Sequence, residues 1–157
     1  MQKKELSFSF EEYDSIETLP QQDADLLKKA RAVTKSAYAP YSHFRVGAMA
    51  RLTNGEFVGG TNQENASYPA GICAERVLLS AASVLYPGVA IDALAVSYDP
   101  ENGASDRPIS PCGICRQSFQ EAEQRAGHPI RLILGGQTGK VYIIPRASHL
   151  LPLAFNF

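Results

Sequence analysis

The spacing of apolar residues divides the chain into helical and strand-like segments. After Pro20, apolar residues recur every three or four positions in a run that starts with acids and stops before Ala39-Pro40, which predicts a helix. The segments HFRVGAMARL and EFVGGTN have strand character and flank Thr53-Asn54-Gly55, whose Asn-Gly pair favours a tight turn. The first two core strands are therefore expected to be antiparallel neighbours.

The second half of the chain alternates helical and strand-like segments. One helical run opens at Cys73, ends at Pro87-Gly88 and leads to IDALAVSY; another opens at CGIC, ends at Gly127 and leads to IRLILGG. VYIIP follows as a strand, and SHLLPLAF as a short helix or ordered tail. Such alternation implies crossover connections and parallel pairing. We therefore predict a three-layer α/β/α sandwich with a mixed sheet of about five strands.

Residues 1–20 are predicted to be an extension of one domain that spans residues 21–157. The chain has 157 residues, of which 45% are hydrophobic, enough for one substantial core. In the extension, LSFSF alternates apolar and polar residues, which predicts an edge strand or an arm that packs on a partner. No apolar run follows a basic start, so the cytoplasm is the default compartment.

Charge and hydropathy argue against two classes of partner. The net charge is −1, which leaves no broad basic field of the kind that binding to a nucleic-acid backbone requires. The longest apolar stretch, residues 77–96, is interrupted by Tyr86-Pro87-Gly88 and Asp92, so it reads as helix, turn and strand. Neither a nucleic acid nor a membrane is therefore the expected partner.

Three cysteines carry the chemistry that the sequence suggests. An odd number leaves one over in a complete disulfide framework, and a cysteine nucleophile would need a neighbouring base more than two further thiolates. Cys73, Cys112 and Cys115 lie at the starts of two predicted helices, where the helix dipole favours a thiolate. Because thiolates commonly bind zinc, we interpret the three cysteines as one zinc site.

This zinc site is interpreted as open, with one position left for water. A closed structural site normally has four protein ligands, whereas a catalytic one has three. His43, His128 and His149 are the remaining candidates for a fourth ligand. Their positions, beside a strand start, before a proline and in the tail, favour a polar surface or capping role instead.

Glu75 is the candidate proton carrier beside the open site. Residues two apart point nearly oppositely on a regular helix, so Cys73 and Glu75 share a cleft only if Cys73 lies at the helix boundary. A carboxylate placed there can take a proton from bound water and return it to the substrate, although Glu75 alone would more often be a helix-dipole partner. Zinc with three thiolates carries net negative charge, and Arg76 is preferred over Arg116 as the cation that offsets it.

At these residues the chain resembles the small zinc-dependent cytidine deaminases. CAE followed by PCxxC carries the resemblance, together with YAPYSHFRVGA, GGTNQENASYPAGICAER, SPCGICRQ and LLPLAF in the family's order, from Tyr38 to Phe155. The resemblance implies a cytoplasmic homotetramer with one zinc ion per subunit. It also implies hydrolytic deamination of cytidine and deoxycytidine to uridine and deoxyuridine, with release of ammonia, in pyrimidine salvage.

The resemblance also implies the residues around the substrate. Cys73, Cys112 and Cys115 would hold zinc and Glu75 would move protons, with a small-molecule nucleoside as the partner. The implied nucleoside contacts are Phe44, Asn62, Glu64, Tyr68, Ala74 and Phe155.

These nucleoside contacts have different expected roles. Asn62 and Glu64 match ribose contacts, which would otherwise be read as turn residues after a strand. Phe44 matches an aromatic residue that packs on the base, and Ala74 a backbone contact near the pyrimidine. Phe155 matches a tail aromatic that enters a neighbouring subunit's site, so the sites would be shared between subunits.

Two other functions stay open from the sequence. One keeps the fold and zinc but acts on another aminated base, such as that of blasticidin S or a base in a polynucleotide; the other is a noncatalytic zinc-stabilised scaffold. The TNQEN segment with Phe44 favours a small nucleoside. A structural zinc seldom leaves a ligand position open, which argues against the scaffold.

Overall fold

Six strands form one mixed sheet in the computed structural model, which describes residues 1–156. The strands are β1 (Glu11–Tyr13), β2 (Phe44–Leu52), β3 (Phe57–Thr61), β4 (Ile91–Pro100), β5 (Arg131–Gly135) and β6 (Val141–Ile144). Their order across the sheet is β1-β6-β5-β4-β2-β3. β4 and β5 are parallel and the other neighbours are antiparallel, which confirms the predicted mixed sheet.

Helices cover both faces of the sheet. They are α1 (Gln21–Val33), α2 (Ala74–Leu85) and α3 (Gly113–Ala126). Leu27 of α1 belongs to the core cluster on one face, with Ala95 of β4, whereas Leu78 of α2 and Phe119 of α3 belong to the cluster on the other face, with Leu94. Because neighbouring residues of β4 point to opposite faces, a single central strand contributes to both clusters. The predicted three-layer architecture is confirmed.

The predicted hairpin is formed by β2 and β3. Its loop runs from Thr53 to Glu56; Gly55 has φ of 90°, and the Asn54 side chain accepts a hydrogen bond from the Glu56 N–H at 3.1 Å. Farther along β3, a Cβ atom on Gly60 would lie 2.5 Å from the carbonyl oxygen of Ala74. The missing side chain therefore allows the first turn of α2 to lie directly on β3.

The first helix is shorter than its sequence pattern suggests. α1 ends at Val33 and is followed by a 3-10 turn at Thr34–Ser36. The Thr34 hydroxyl donates a hydrogen bond to the Arg31 carbonyl at 2.7 Å, and such local bonds from threonine compete with regular helix structure. The chain is thus released toward β2 before Ala39-Pro40.

The N-terminal edge strand begins a few residues later in the sequence than the predicted segment LSFSF. β1 begins at Glu11, directly after LSFSF, and pairs with β6. The Phe8 ring lies 5.6 Å from that of His149, and the Phe10 ring 4.8 Å from that of Tyr142. The alternation in LSFSF therefore produces side-chain packing on the C-terminal part of the chain, while the boundary at residue 20 stays a prediction.

No helix among residues 1–156 combines the length and apolar character needed to cross a bilayer.

Candidate active site

The three cysteines lie where α2 and α3 begin. Cys73 is the N-cap of α2 with φ −69° and ψ 152°, and Cys112 is the N-cap of α3 with φ −67° and ψ 168°. Both residues thus have extended backbone angles, while Cys115 lies in the first turn of α3. Cys73 occupies the helix boundary that the Cys73–Glu75 spacing requires.

The sulfur atoms form a cluster that fits zinc. All three lie within 4.8 Å of one another, with 3.7 Å between Cys73 and Cys112 and 3.4 Å between Cys112 and Cys115. Zinc–sulfur bonds of about 2.3 Å in a tetrahedral site place neighbouring sulfurs about 3.8 Å apart. The donors therefore have both the chemistry and the spacing of three ligands to one ion.

The cluster favours a thiolate at Cys73. Hydrogen bonding from Cys115 is the largest effect that lowers the pKa of Cys73 to about 6, and the positive charge of Arg76 also contributes. The same contact with Cys73, together with burial, raises the pKa of the Cys115 thiol. Arg116 instead donates to the carbonyl oxygens of Pro111 at 2.8 Å and of Leu150 at 3.0 Å. Its guanidinium is therefore engaged by backbone.

Glu75 is a buried carboxyl group next to this cluster. It is only 5% exposed, and burial is the main cause that raises its pKa. Glu75, Cys73 and Cys112 line one cavity of about 420 Å³. A carboxyl group with a raised pKa holds a proton more readily than an exposed one, which suits general acid–base chemistry.

The predicted nucleoside contacts Phe44, Asn62, Glu64 and Ala74 line the same cavity. The Phe44 ring stacks on Tyr98, with centroids 5.2 Å apart and planes 16° apart. The Asn62 side chain accepts from the Val46 N–H at 2.8 Å and donates to the Phe44 carbonyl at 2.9 Å. Packing and hydrogen bonds thus hold an aromatic ring and an amide in the cavity that Cys73 and Cys112 also line.

A comparison with protein families matches residues 20–126 to the model described as the cytidine and deoxycytidylate deaminase zinc-binding region. The chain belongs to this deaminase family. It is 37% identical over 131 residues to the cytidine deaminase of Halalkalibacterium halodurans, covering 83% of this chain and 92% of the relative.

Solved structures agree with this assignment of the deaminase family. The cytidine deaminase from Burkholderia pseudomallei is 36% identical with a TM-score of 0.73, and the match covers 87% of this chain and 100% of that chain. The enzyme from Mycobacterium tuberculosis is 30% identical with a TM-score of 0.65, and coverage is 85% and 96% respectively.

Two predicted contacts of this deaminase-family chain lie outside the cavity. Tyr68 is 75% exposed and lines an adjoining recess of about 390 Å³ with Tyr41. Phe155 lies beside α2 and α3 in a groove that Arg76 also lines, and its carbonyl accepts from Gln117 at 2.9 Å. A role of Phe155 in a neighbouring subunit's site, and that of Arg76 as a charge moderator, stay predictions.

The histidines of the deaminase-family chain lie apart from the sulfurs. His43 Nδ1 is 2.7 Å from the Glu101 carboxylate, and His128 Nε2 is 3.9 Å from that of Asp92. The His149 ring packs on Phe8. In the described part of the chain, the clustered candidate metal ligands are the three cysteines, which agrees with an open site.

Five further residues line the cavity without having been predicted: Ser42, Val46, Val96, Ile109 and Ser110. Ser42 lines it and hydrogen-bonds Glu64, while Ile109 and Ser110 line it from the loop before Pro111. Ile109 and Ser110 could have been identified from the sequence, because they lie directly before the PCGIC motif. For Ser42, the signal was a hydroxyl two residues before Phe44.

Proposed function

We propose that the chain is a zinc-dependent hydrolase that converts cytidine and deoxycytidine to uridine and deoxyuridine and releases ammonia. One observation carries this function: Cys73 and Cys112, which cluster with the buried Cys115, and the carboxyl group of Glu75 line the same cavity as Phe44, Asn62 and Glu64. Membership of the deaminase family and relatives that are themselves cytidine deaminases support it.

In the proposed reaction, Cys73, Cys112 and Cys115 would hold zinc, which would lower the pKa of the attacking water. Glu75 accepts the proton of that water and delivers it to N3 of the pyrimidine while oxygen attacks C4. Glu75 then takes the second proton of the water oxygen, now bonded to C4, and delivers it to the amino nitrogen. The C4–N bond breaks, ammonia leaves and C4 keeps the oxygen as a carbonyl group. Support for this role of Glu75 is its burial and its place in the cavity that Cys73 and Cys112 also line.

The rest of the cavity binds and orients the nucleoside. Phe44, backed by Tyr98, offers an apolar face to the pyrimidine, and the Ala74 backbone lies beside it. Asn62 and Glu64 offer an amide and a carboxylate to sugar hydroxyls. A cavity of about 420 Å³ is of the size that binds small molecules, which favours a free nucleoside over a polynucleotide.

We further propose a cytoplasmic homotetramer that acts in pyrimidine salvage. Exposed apolar side chains support assembly: Val84 is 78% exposed, Leu85 64%, Ile114 62% and Phe155 67%. Such residues on neighbouring elements mark interaction surfaces, and assembly would bring Phe155 to a neighbour's cavity. Light scattering of the purified protein is expected to give four times the monomer mass, and a stable monomer with full activity would contradict a shared site.

An ultraviolet assay on cytidine tests the activity. The zinc-loaded protein is expected to consume cytidine, to lose this activity after chelation and to recover it with zinc. If the zinc-loaded protein leaves cytidine unchanged but deaminates blasticidin S or another aminated base, the proposed substrate is wrong.

Glu75→Gln separates an enzyme from a zinc-stabilised scaffold. The amide keeps the shape of Glu75 but cannot carry the proton, so deamination is expected to fall at least about 10²- to 10⁴-fold. Zinc content and melting temperature, measured on the same sample, are expected to stay near those of the unmodified protein. Undiminished deamination would contradict the role of Glu75.

A further inference from the structure

Glu64 is held by three donors from one short segment. Its carboxylate accepts hydrogen bonds from the N–H of Tyr41 at 2.9 Å, from the N–H of Ser42 at 3.2 Å and from the Ser42 hydroxyl. The Ser42 oxygen in turn accepts the N–H of Phe44 at 3.1 Å. One hydroxyl group therefore connects two residues of the same cavity wall.

These contacts leave a limited acceptor capacity on Glu64. An ionised carboxylate has about four lone-pair positions, and Tyr41 and Ser42 occupy three of them. The hydrogen bond from Ser42 is also the largest effect that lowers the pKa of Glu64, which keeps the group an acceptor at neutral pH. The remaining capacity suits one hydroxyl donor of a ligand.

We infer that Ser42 is a positioning residue, whose hydroxyl sets the orientation of the Glu64 carboxylate toward a single sugar hydroxyl and ties it to the backbone of Phe44. This inference rests on the proposed nucleoside deamination. The Ser42 hydroxyl donates its hydrogen to Glu64, so its assigned role is orientation and not proton transfer. Its loss should therefore weaken sugar binding and leave the chemical step unchanged.

Steady-state kinetics of Ser42→Ala tests this role, with Ser42→Thr as the matched control that keeps the hydroxyl. For deoxycytidine, Ser42→Ala is expected to raise KM about tenfold, because a tenfold change corresponds to the loss of one hydrogen bond to a charged group. The kcat value is expected to stay within about twofold of that of the unmodified protein. Ser42→Thr should restore most of the affinity. For 2′,3′-dideoxycytidine, which keeps the 5′-hydroxyl but lacks the ring hydroxyls at C2′ and C3′ as partners for Glu64, Ser42→Ala and the unmodified protein should have the same KM.

A double-mutant cycle shows whether Ser42 acts through Glu64. In a Glu64→Gln background, Ser42→Ala is expected to add less than about a twofold change in KM, since the oriented carboxylate is already gone. An equal loss in both backgrounds, an equal loss on 2′,3′-dideoxycytidine, or a fall in kcat alone would overturn the inference.

A titration separates this inference from the proposed function. Carbon NMR of the Glu64 carboxyl group is expected to show a higher pKa in Ser42→Ala than in the unmodified protein or Ser42→Thr. An unchanged pKa would overturn the role of Ser42 even in an active enzyme. Absence of cytidine turnover by the unmodified protein would instead reject the deaminase proposal, while the titration still reports the contact.

Discussion

The cysteine cluster and the sugar side of the cavity are built from different kinds of structure. Cys73 and Cys112 cap two helices, and Cys115 is fully buried in the core. Ser42 and Glu64 lie in loops and meet through hydrogen bonds at an exposed site. Core packing therefore maintains the metal end, whereas single polar contacts maintain the sugar end, so substitutions should abolish function at one end and tune it at the other.

Cys112→Ser gives the largest expected effect. Cys112 is exposed, so the substitution is expected to leave the fold intact while removing one thiolate from the cluster. Metal analysis should show loss of most of the zinc, and deamination should fall at least about 10³-fold because both the activated water and its position depend on the ion. Full zinc content with full activity would show that Cys112 is not a ligand.

Gly139→Ala tests whether Gly139 supports the loop that contributes Ile109 and Ser110 to the cavity, and its effect is expected to be intermediate between those of Cys112→Ser and His43→Asn. Gly139 has φ of 74°, and its Cβ atom would lie 1.9 Å from the Asp106 carbonyl oxygen, in the loop that carries Ile109 and Ser110 into the cavity. A non-glycine residue in the left-handed backbone region costs ~1–2 kcal/mol by itself. Because the contact with Asp106 adds to this cost, the free energy of unfolding is expected to fall by more than that amount. KM is expected to rise because the loop that lines the cavity is displaced.

Gly127→Ala is the matched control for Gly139→Ala. Gly127 also has positive φ, 61°, but nothing lies within 4 Å of its added Cβ atom. The free energy of unfolding, measured in urea, should fall only by the ~1–2 kcal/mol of a non-glycine residue in the left-handed backbone region, and KM should not change. Equal effects of both substitutions on stability and KM would mean that contact with Asp106 does not position the cavity loop.

His43→Asn gives the smallest expected effect. The His43–Glu101 pair is about half exposed on both sides, and such surface pairs contribute less than ~1 kcal/mol. Asparagine tolerates the positive φ of 53° at this position. The free energy of unfolding, measured in urea, should change by less than ~1 kcal/mol, and the zinc content should stay the same. Loss of zinc would instead make His43 part of the metal site.

Features of the fold that depend on near neighbours could be predicted from the sequence. Asn54-Gly55 indicated the hairpin, and helical spacing with terminating glycines indicated α2 and α3. The edge strand was less predictable: alternation in LSFSF describes a preference for burial, but β1 starts at Glu11 because pairing with the distant β6 selects it.

The candidate metal donors follow from local sequence, since Cys73, Cys112 and Cys115 lie at helix starts, and the spacing of Cys73 and Glu75 requires a helix boundary. Which loops complete the cavity depends instead on long-range contacts. Ser42 and Glu64 are 22 residues apart, and their contact requires the loops before β2 and after β3 to meet. Such contacts depend on long-range packing, which no local spacing of apolar and polar residues encodes.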